Sequence, residues 1–223
     1  MRTTSRWLLP VLLGWAALTQ AAAPVAGRDY VDVSPAQPTS EPRILVTEFF
    51  SYQCPHCAMF ARPLATWAKT LPTDVRVERM PISLGRPAWE PVARAYLALQ
   101  AMNSVAKVDE ALFAAIHGQG MRFDTEAAIT AWLGSHGVDA KAFTAMYHSF
   151  GVDAQVHGAE TKARDLRVPS VPTLVIDGRY LIAIEDTGAT REQHFREQLA
   201  VATELIARAR QQHKPGAQAA KSP

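Results

Sequence analysis

Only two of the 223 residues are cysteine, Cys54 and Cys57. So few exclude a disulfide-stapled scaffold and any four-cysteine zinc or iron–sulfur site. An excess of one charge is also lacking: 23 Lys and Arg stand against 21 Asp and Glu, a formal net charge of +2. That balance argues against a nucleic-acid partner. The one extended apolar run, Trp7 to Leu18, is shorter than the ~20 residues that span a bilayer, and Pro10 interrupts it. What the chain has in quantity is core material. With 48% hydrophobic and 20% charged residues it reads as a globular protein of one or two domains.

Arg2 and Arg6 precede the apolar run, and the small-residue stretch Ala21-Ala22-Ala23 follows it. This is the layout of a secretory signal peptide, expected over residues 1–22. Pro24 disfavours a cut directly before it, so cleavage is placed after Ala21 or Ala22. Removing this segment takes two cations and no acids, leaving 21 of each sign. Long-range attraction to an anionic polymer is then weak. Export also brings both thiols into an oxidising compartment.

Residues 23–42 read as a lead-in with a short strand-like patch at Tyr30–Val33. Arg43 to Phe50 is a near-continuous apolar run of strand length, the pattern of a strand buried on both faces. After Cys54 the spacing turns helical through Cys57, Phe60, Ala61, Leu64, Trp67 and Ala68, with Pro63 expected to kink or restart the helix. Val75 to Met80 is a second strand. Together they form a βαβ unit, which implies parallel strands and a right-handed crossover.

A second strand pair comes late in the chain: Thr173–Ile176 and Tyr180–Ile184, joined by Asp177-Gly178-Arg179. Thr190 and Gln193 then form a capping-box pattern ahead of a final amphipathic helix. Between the strand clusters five helical faces are predicted, with Asp124 and Asp139 as N-caps. The fourth face runs through Ala140, Phe143, Met146, Tyr147 and Phe150. This block is expected to be a helical insertion with its own core. The divisions are therefore 43–83 and 168–210 for the two parts of the α/β domain, 84–167 for the insertion, and 211–223 for a disordered tail.

A Cys-x-x-Cys pair where a strand gives way to a helix has a specific consequence. Cys54 falls near the N-cap, where unpaired N–H groups and the helix dipole favour a thiolate. Pro55 suits the first turn because its missing N–H has no partner there. His56, if protonated, adds a positive charge near the sulfur. Cys57, one turn on, is expected to be more buried and to act as the resolving thiol. Other readings of the pair are weaker. Position 58 is Ala58 and not the histidine of a c-type haem site, and no two histidines have zinc-ligand spacing. No metal and no cofactor is therefore expected.

The stretch Glu48-Phe49-Phe50-Ser51-Tyr52-Gln53-Cys54-Pro55-His56-Cys57 resembles the active-site segment of the DsbA family, periplasmic thiol:disulfide oxidoreductases of thioredoxin fold. Gly27-Arg28-Asp29-Tyr30 resembles the family's lead-in, and Val168-Pro169-Ser170-Val171-Pro172-Thr173 its cis-proline loop. The order of elements matches as well, so the resemblance covers most of residues 27–210. It implies an α/β, thioredoxin-like fold with an inserted all-helical domain.

The resemblance also implies that Pro172 is cis and lies opposite the dithiol. Val171 would then pair with an extended substrate peptide. Glu48 would be a buried acid beneath Cys57 that helps move its proton; the bland alternative is an ion pair with Arg79. One departure is Ala61, where some members carry a glutamate. The implied activity is donation of a disulfide to reduced, newly exported proteins, with reoxidation by a DsbB-type membrane quinone reductase. Localisation in the periplasm and a monomeric state go with it. The competing functions are a periplasmic reductase or isomerase and an exported peptide-binding chaperone. The DsbC type of isomerase carries an N-terminal dimerisation domain, for which the lead-in leaves little room. Met59 and Phe60 are placed either at an apolar rim or in the core. His117, His136, His148, His157, His194 and His213 are expected at the surface with no role.

Overall fold

The structure is a computed structural model that describes residues 23–39, 41–183 and 190–212. The predicted signal segment 1–22 lies outside the described residues, as do Ile184 and most of the predicted tail. Gln211 and Gln212 close the last helix and do not belong to a tail.

Strands β1 (Tyr30–Asp32), β2 (Ile44–Phe50), β3 (Val75–Pro81), β4 (Thr173–Ile176) and β5 (Tyr180–Ile182) form one sheet in the order β1-β5-β4-β2-β3. The β2–β3 pair is parallel, as a helical crossover requires, and the remaining pairs are antiparallel. Every residue of β2 is buried, which matches its unbroken apolar run. Helix α1 (Pro55–Ala68) joins β2 to β3 and continues through Pro63, so the expected restart does not occur. Phe60 and Leu64 on either side of the proline sit in the core, and that packing offsets the lost backbone bond.

Helix α7 (Arg191–Gln212) packs beside α1 on the same face of the sheet. Ile44, Val46, Leu174 and Ile176 meet Phe60, Phe195, Leu199 and Ala202 there. Trp67 Nε1 donates to Thr203 Oγ1 at 3.0 Å, and Arg210 pairs with Asp74 at 2.6 Å, tying α7 to the crossover. The capping box forms, with Thr190 N donating to Gln193 Oε1 at 2.8 Å and Gln193 N to Thr190 Oγ1 at 3.3 Å.

The opposite face is covered by α2 (Glu90–Ala101), α3 (Val105–His117), α4 (Glu126–Ser135), α5 (Ala140–Tyr147) and α6 (Phe150–Asp165). These helices do not enclose a separate core. Leu99, Leu112, Ile129 and Phe143 belong to one apolar cluster with Phe49, Val175 and Leu181 of the sheet and with Cys57. Two local expectations are also corrected. The N-cap of α4 is Thr125, whose side chain accepts from Ala128 N, while Asp124 pairs with Arg122. Phe150 is not on the α5 face but opens α6, where it is 88% exposed. Asp139 does cap α5, accepting from Ala142 N at 2.9 Å.

The β4–β5 turn sits against the lead-in, where Gln37 N donates to the Gly178 carbonyl at 2.9 Å. Gly178 has a φ of +59°, and a Cβ built there would stand 1.8 Å from the Gln37 carbonyl oxygen. Gly178→Ala is therefore expected to lower stability by more than about 1 kcal/mol, since both the backbone angle and the space exclude a side chain. An unchanged midpoint in urea unfolding would contradict this reading.

Candidate active site

Strand β2 delivers its last residues to a tight turn. Cys54 N donates to Ser51 O at 3.1 Å, and Gln53 N to Ser51 Oγ at 3.2 Å. Cys54 is the N-cap of α1, with extended backbone (φ −90°, ψ 117°), and Pro55 occupies the first turn as expected. The two cysteines are not joined in a disulfide. Cys54 is 5% exposed and Cys57 is fully buried.

The two sulfurs are close in sequence but sit in opposite electrostatic environments. The Cys54 thiol is pulled down to about 6, first by the hydrogen bond from Cys57, then by the backbone N–H groups of Cys57 and His56 and the charge of Arg86. Burial opposes this and loses. Cys57 is pushed up, by burial first, then by its role as donor to Cys54 and by the charges of Cys54 and Glu48. The expected contribution of a charged His56 is not what the structure shows. Burial, Arg191 and His194 all lower the His56 pKa, so its backbone N–H, and not a protonated ring, assists the sulfur.

Opposite the dithiol, the Val171–Pro172 peptide bond is cis. Thr173 Oγ1 donates to Ser170 O at 2.8 Å, closing the loop ahead of β4. The Cys54 thiol donates to the Val171 carbonyl at 3.3 Å across the gap. The Val171 carbonyl and the His56 backbone N–H thus both face the Cys54 sulfur. Met59 is 51% exposed and lines a neighbouring recess with Pro63 and Phe195, whereas Phe60 is in the core.

Beneath the site, Glu48 is fully buried, and its carboxyl pKa is raised because burial outweighs the attraction of Arg79. Arg79 Nε donates to Glu48 Oε2 at 2.7 Å, so the predicted ion pair exists. The pair is not isolated. Arg79 Nη1 also donates to Asp109 Oδ1 at 2.9 Å and Oδ2 at 3.0 Å. Tyr52 OH donates to Asp109 Oδ1 at 2.5 Å, and the Arg79 guanidinium lies 4.0 Å above the Phe50 ring. Glu48 Oε1 and Arg79 Nη2 are buried without hydrogen-bond partners.

Several of these groups escape sequence reasoning. Asp109 and Arg86 carry no motif, and their roles come from contacts between distant segments. His117 was expected to be idle, yet its Nε2 lies 2.7 Å from the Tyr52 carbonyl oxygen and its ring stacks on Phe113.

A thioredoxin-like sheet with a dithiol at a helix N-terminus and a cis-proline loop facing it defines a thiol:disulfide oxidoreductase. The comparisons with known proteins are specific. The family model described as a DSBA-like thioredoxin domain matches residues 45–200. The thiol:disulfide interchange protein DsbA of Pseudomonas aeruginosa is 34% identical over 190 residues, which cover 85% of this chain and 89% of that protein. That of Azotobacter vinelandii is 36% identical over 163 residues, 73% of this chain and 76% of the relative. The crystal structure of P. aeruginosa DsbA matches with a TM-score of 0.78 at 33% identity, covering 86% of this chain and 97% of that one. The oxidoreductase DsbA of Xylella fastidiosa gives 0.77 at 30% identity, with coverage of 85% and 100%. The chain belongs to the DsbA family of thioredoxin-fold proteins.

Two predictions follow from the site's electrostatics. A Cys54 pKa near 6, below the ordinary thiol value of 9.0, means the folded dithiol form releases a proton that the unfolded chain still holds. Its stabilising effect is fully present above 9.0 and is lost as pH falls through about 6. Thiolate absorbance at 240 nm in the reduced protein should titrate with a midpoint near 6, and Cys54→Ser should remove it. Between these pH limits the stability of the reduced form should rise relative to the oxidised form. Second, Arg79→Met leaves the Glu48 carboxylate buried and unpaired, at an expected cost of about 3–5 kcal/mol in urea unfolding. Arg79→Met combined with Glu48→Leu should recover most of that loss.

Proposed function

We propose that this protein donates the Cys54–Cys57 disulfide to reduced, newly exported proteins in the bacterial periplasm. The observation that carries the reading is the unequal dithiol: one sulfur held as a stable thiolate at neutral pH, the other buried and protonated. Stabilising the reduced form makes the disulfide the stronger oxidant.

In the oxidised protein, a substrate thiolate attacks Cys54 Sγ. The electron pair of the S–S bond goes to Cys57, which takes up a proton as it becomes a thiol. The second substrate thiolate then attacks the substrate sulfur bonded to Cys54, and Cys54 departs as a thiolate. Two electrons pass to the protein, and the substrate gains a disulfide. Cys54 is the attacked sulfur and leaving group, Cys57 the resolving thiol, and Pro55 and His56 supply the helix start that stabilises the thiolate.

Glu48 is the carboxyl beside Cys57 that helps move its proton. Val171 pairs with the substrate backbone, and cis-Pro172 holds that loop open towards the dithiol. Reoxidation falls to a DsbB-type membrane quinone reductase, and the protein works as a monomer. The divisions 43–83, 84–167 and 168–210 are proposed as the working units of the chain.

The test is an equilibrium redox titration of the purified protein against glutathione, read by tryptophan fluorescence. The expected potential lies well above the glutathione poise. A value near that of thioredoxin, about −270 mV, would overturn the oxidase reading in favour of a reductase. Cys54→Ser should abolish oxidation of a reduced dithiol protein entirely. A peptide-binding chaperone would instead keep suppressing the aggregation of an unfolded protein after the same substitution.

A further inference from the structure

A cleft of about 310 Å³ runs beside the dithiol between α1, the Val168–Thr173 loop and α7. Among the described residues that line it, the one formally charged side chain is Arg191, with the imidazoles of His56 and His194 beside it. His56 comes from the first turn of α1, and Arg191 and His194 from the first turn of α7, with no acidic residue among the described residues lining the space. Two helix N-termini, each the positive end of its dipole, therefore converge on the same volume. Arg191 and His194 form no ion pair among the described residues; Glu192, on the same turn, lines the neighbouring recess with Met59 and Pro63. Burial first, and then Arg191 and His194, disfavour a charged His56, so Arg191 is the fixed cation of the cleft.

The cleft holds a second, independent feature. Gln198 lies in its wall at 8% exposure, and its Oε1 is buried with no hydrogen-bond partner. A buried carbonyl oxygen without a donor is uncommon in folded proteins, and an N–H entering the cleft would satisfy it. An extended peptide supplies such groups along its backbone.

We propose that this cleft selects the substrate segment around the attacking cysteine for an acidic side chain, which pairs with Arg191 at the start of α7 while Gln198 accepts a backbone N–H. The proposal rests on the oxidase reading and adds a substrate preference to it. Opposite charge at the cleft raises the rate of productive encounter, and a lysine in the same segment lowers it.

The experiment uses three short peptides, each with a pair of reduced cysteines and identical except for Glu, Gln or Lys at the positions flanking the first cysteine. The full-length oxidised protein is the oxidant. Each kcat/KM is divided by the rate with dithiothreitol for the same variant. The expected order is Glu, Gln, Lys, with at least about a fivefold ratio between the ends at low salt. The ratio should shrink towards unity in about 0.5 M NaCl. Arg191→Glu should reverse the order, and Gln198→Leu should slow all three peptides alike.

Equal turnover of the three peptides overturns the proposal and leaves the oxidase reading standing. An unchanged ratio in Arg191→Glu overturns the assignment to this cleft. No turnover of any peptide, with dithiothreitol still oxidised, overturns the oxidase reading itself. The wild-type ratio and its salt dependence need no variant, so a misfolded substitution does not block the test.

Discussion

Arg79 lies between two carboxylates, Glu48 on β2 and Asp109 on α3, with its guanidinium flat above the Phe50 ring. The two partners are 31 and 30 residues away in sequence. Through this one side chain the sheet is joined to the helical block directly beneath the dithiol. A charge so deeply placed is tolerable only when its geometry and hydrogen bonds are good, and removal of one partner leaves another exposed to the full desolvation penalty. The floor of the site, the angle of α3 and the environment of Cys57 are all constrained by it. Tyr52, which bridges the turn before Cys54 to Asp109, extends the same constraint to the rim.

Above that floor, asymmetry is the governing feature. Cys54 and Cys57 lie one helical turn apart, yet one faces backbone donors at the helix start and the other a carboxylate and apolar packing. The difference arises from position alone, since the residue type is the same. A helix N-terminus stabilises negative charge over its first turn and no further. The Val171 carbonyl completes the arrangement by lying 3.3 Å from the sulfur at the helix start.

Local chemistry was well written into the sequence. The buried strand β2, the N-cap position of Cys54 and the capping box at Thr190 follow from short-range patterns, and each is found. The cis bond at Pro172 was indicated only by resemblance. What escaped detection depends on long-range juxtaposition. Asp109 sits in a helix whose apolar spacing marks only its core face, and nothing local says that Arg79 waits beyond it. Arg86 reaches Cys54 with its charge for reasons that only the assembled fold supplies. Two local rules also failed. Pro63 was overridden by packing of Phe60 and Leu64, and Phe150 fitted the period of α5 although the chain breaks at Ser149 to start α6.

The apolar cluster that runs from Leu99 and Phe143 through to Phe49, Val175 and Leu181 has an evolutionary consequence. A guest segment with a self-contained interior can be transplanted between hosts as a cassette. This one cannot, because its inner lining is completed by side chains of the host sheet. Exchange of the helical block for another would require Phe49, Val175 and Leu181 to be refitted together with it. The two parts of the chain are therefore expected to have diversified in step, with changes of volume on one side matched by changes on the other.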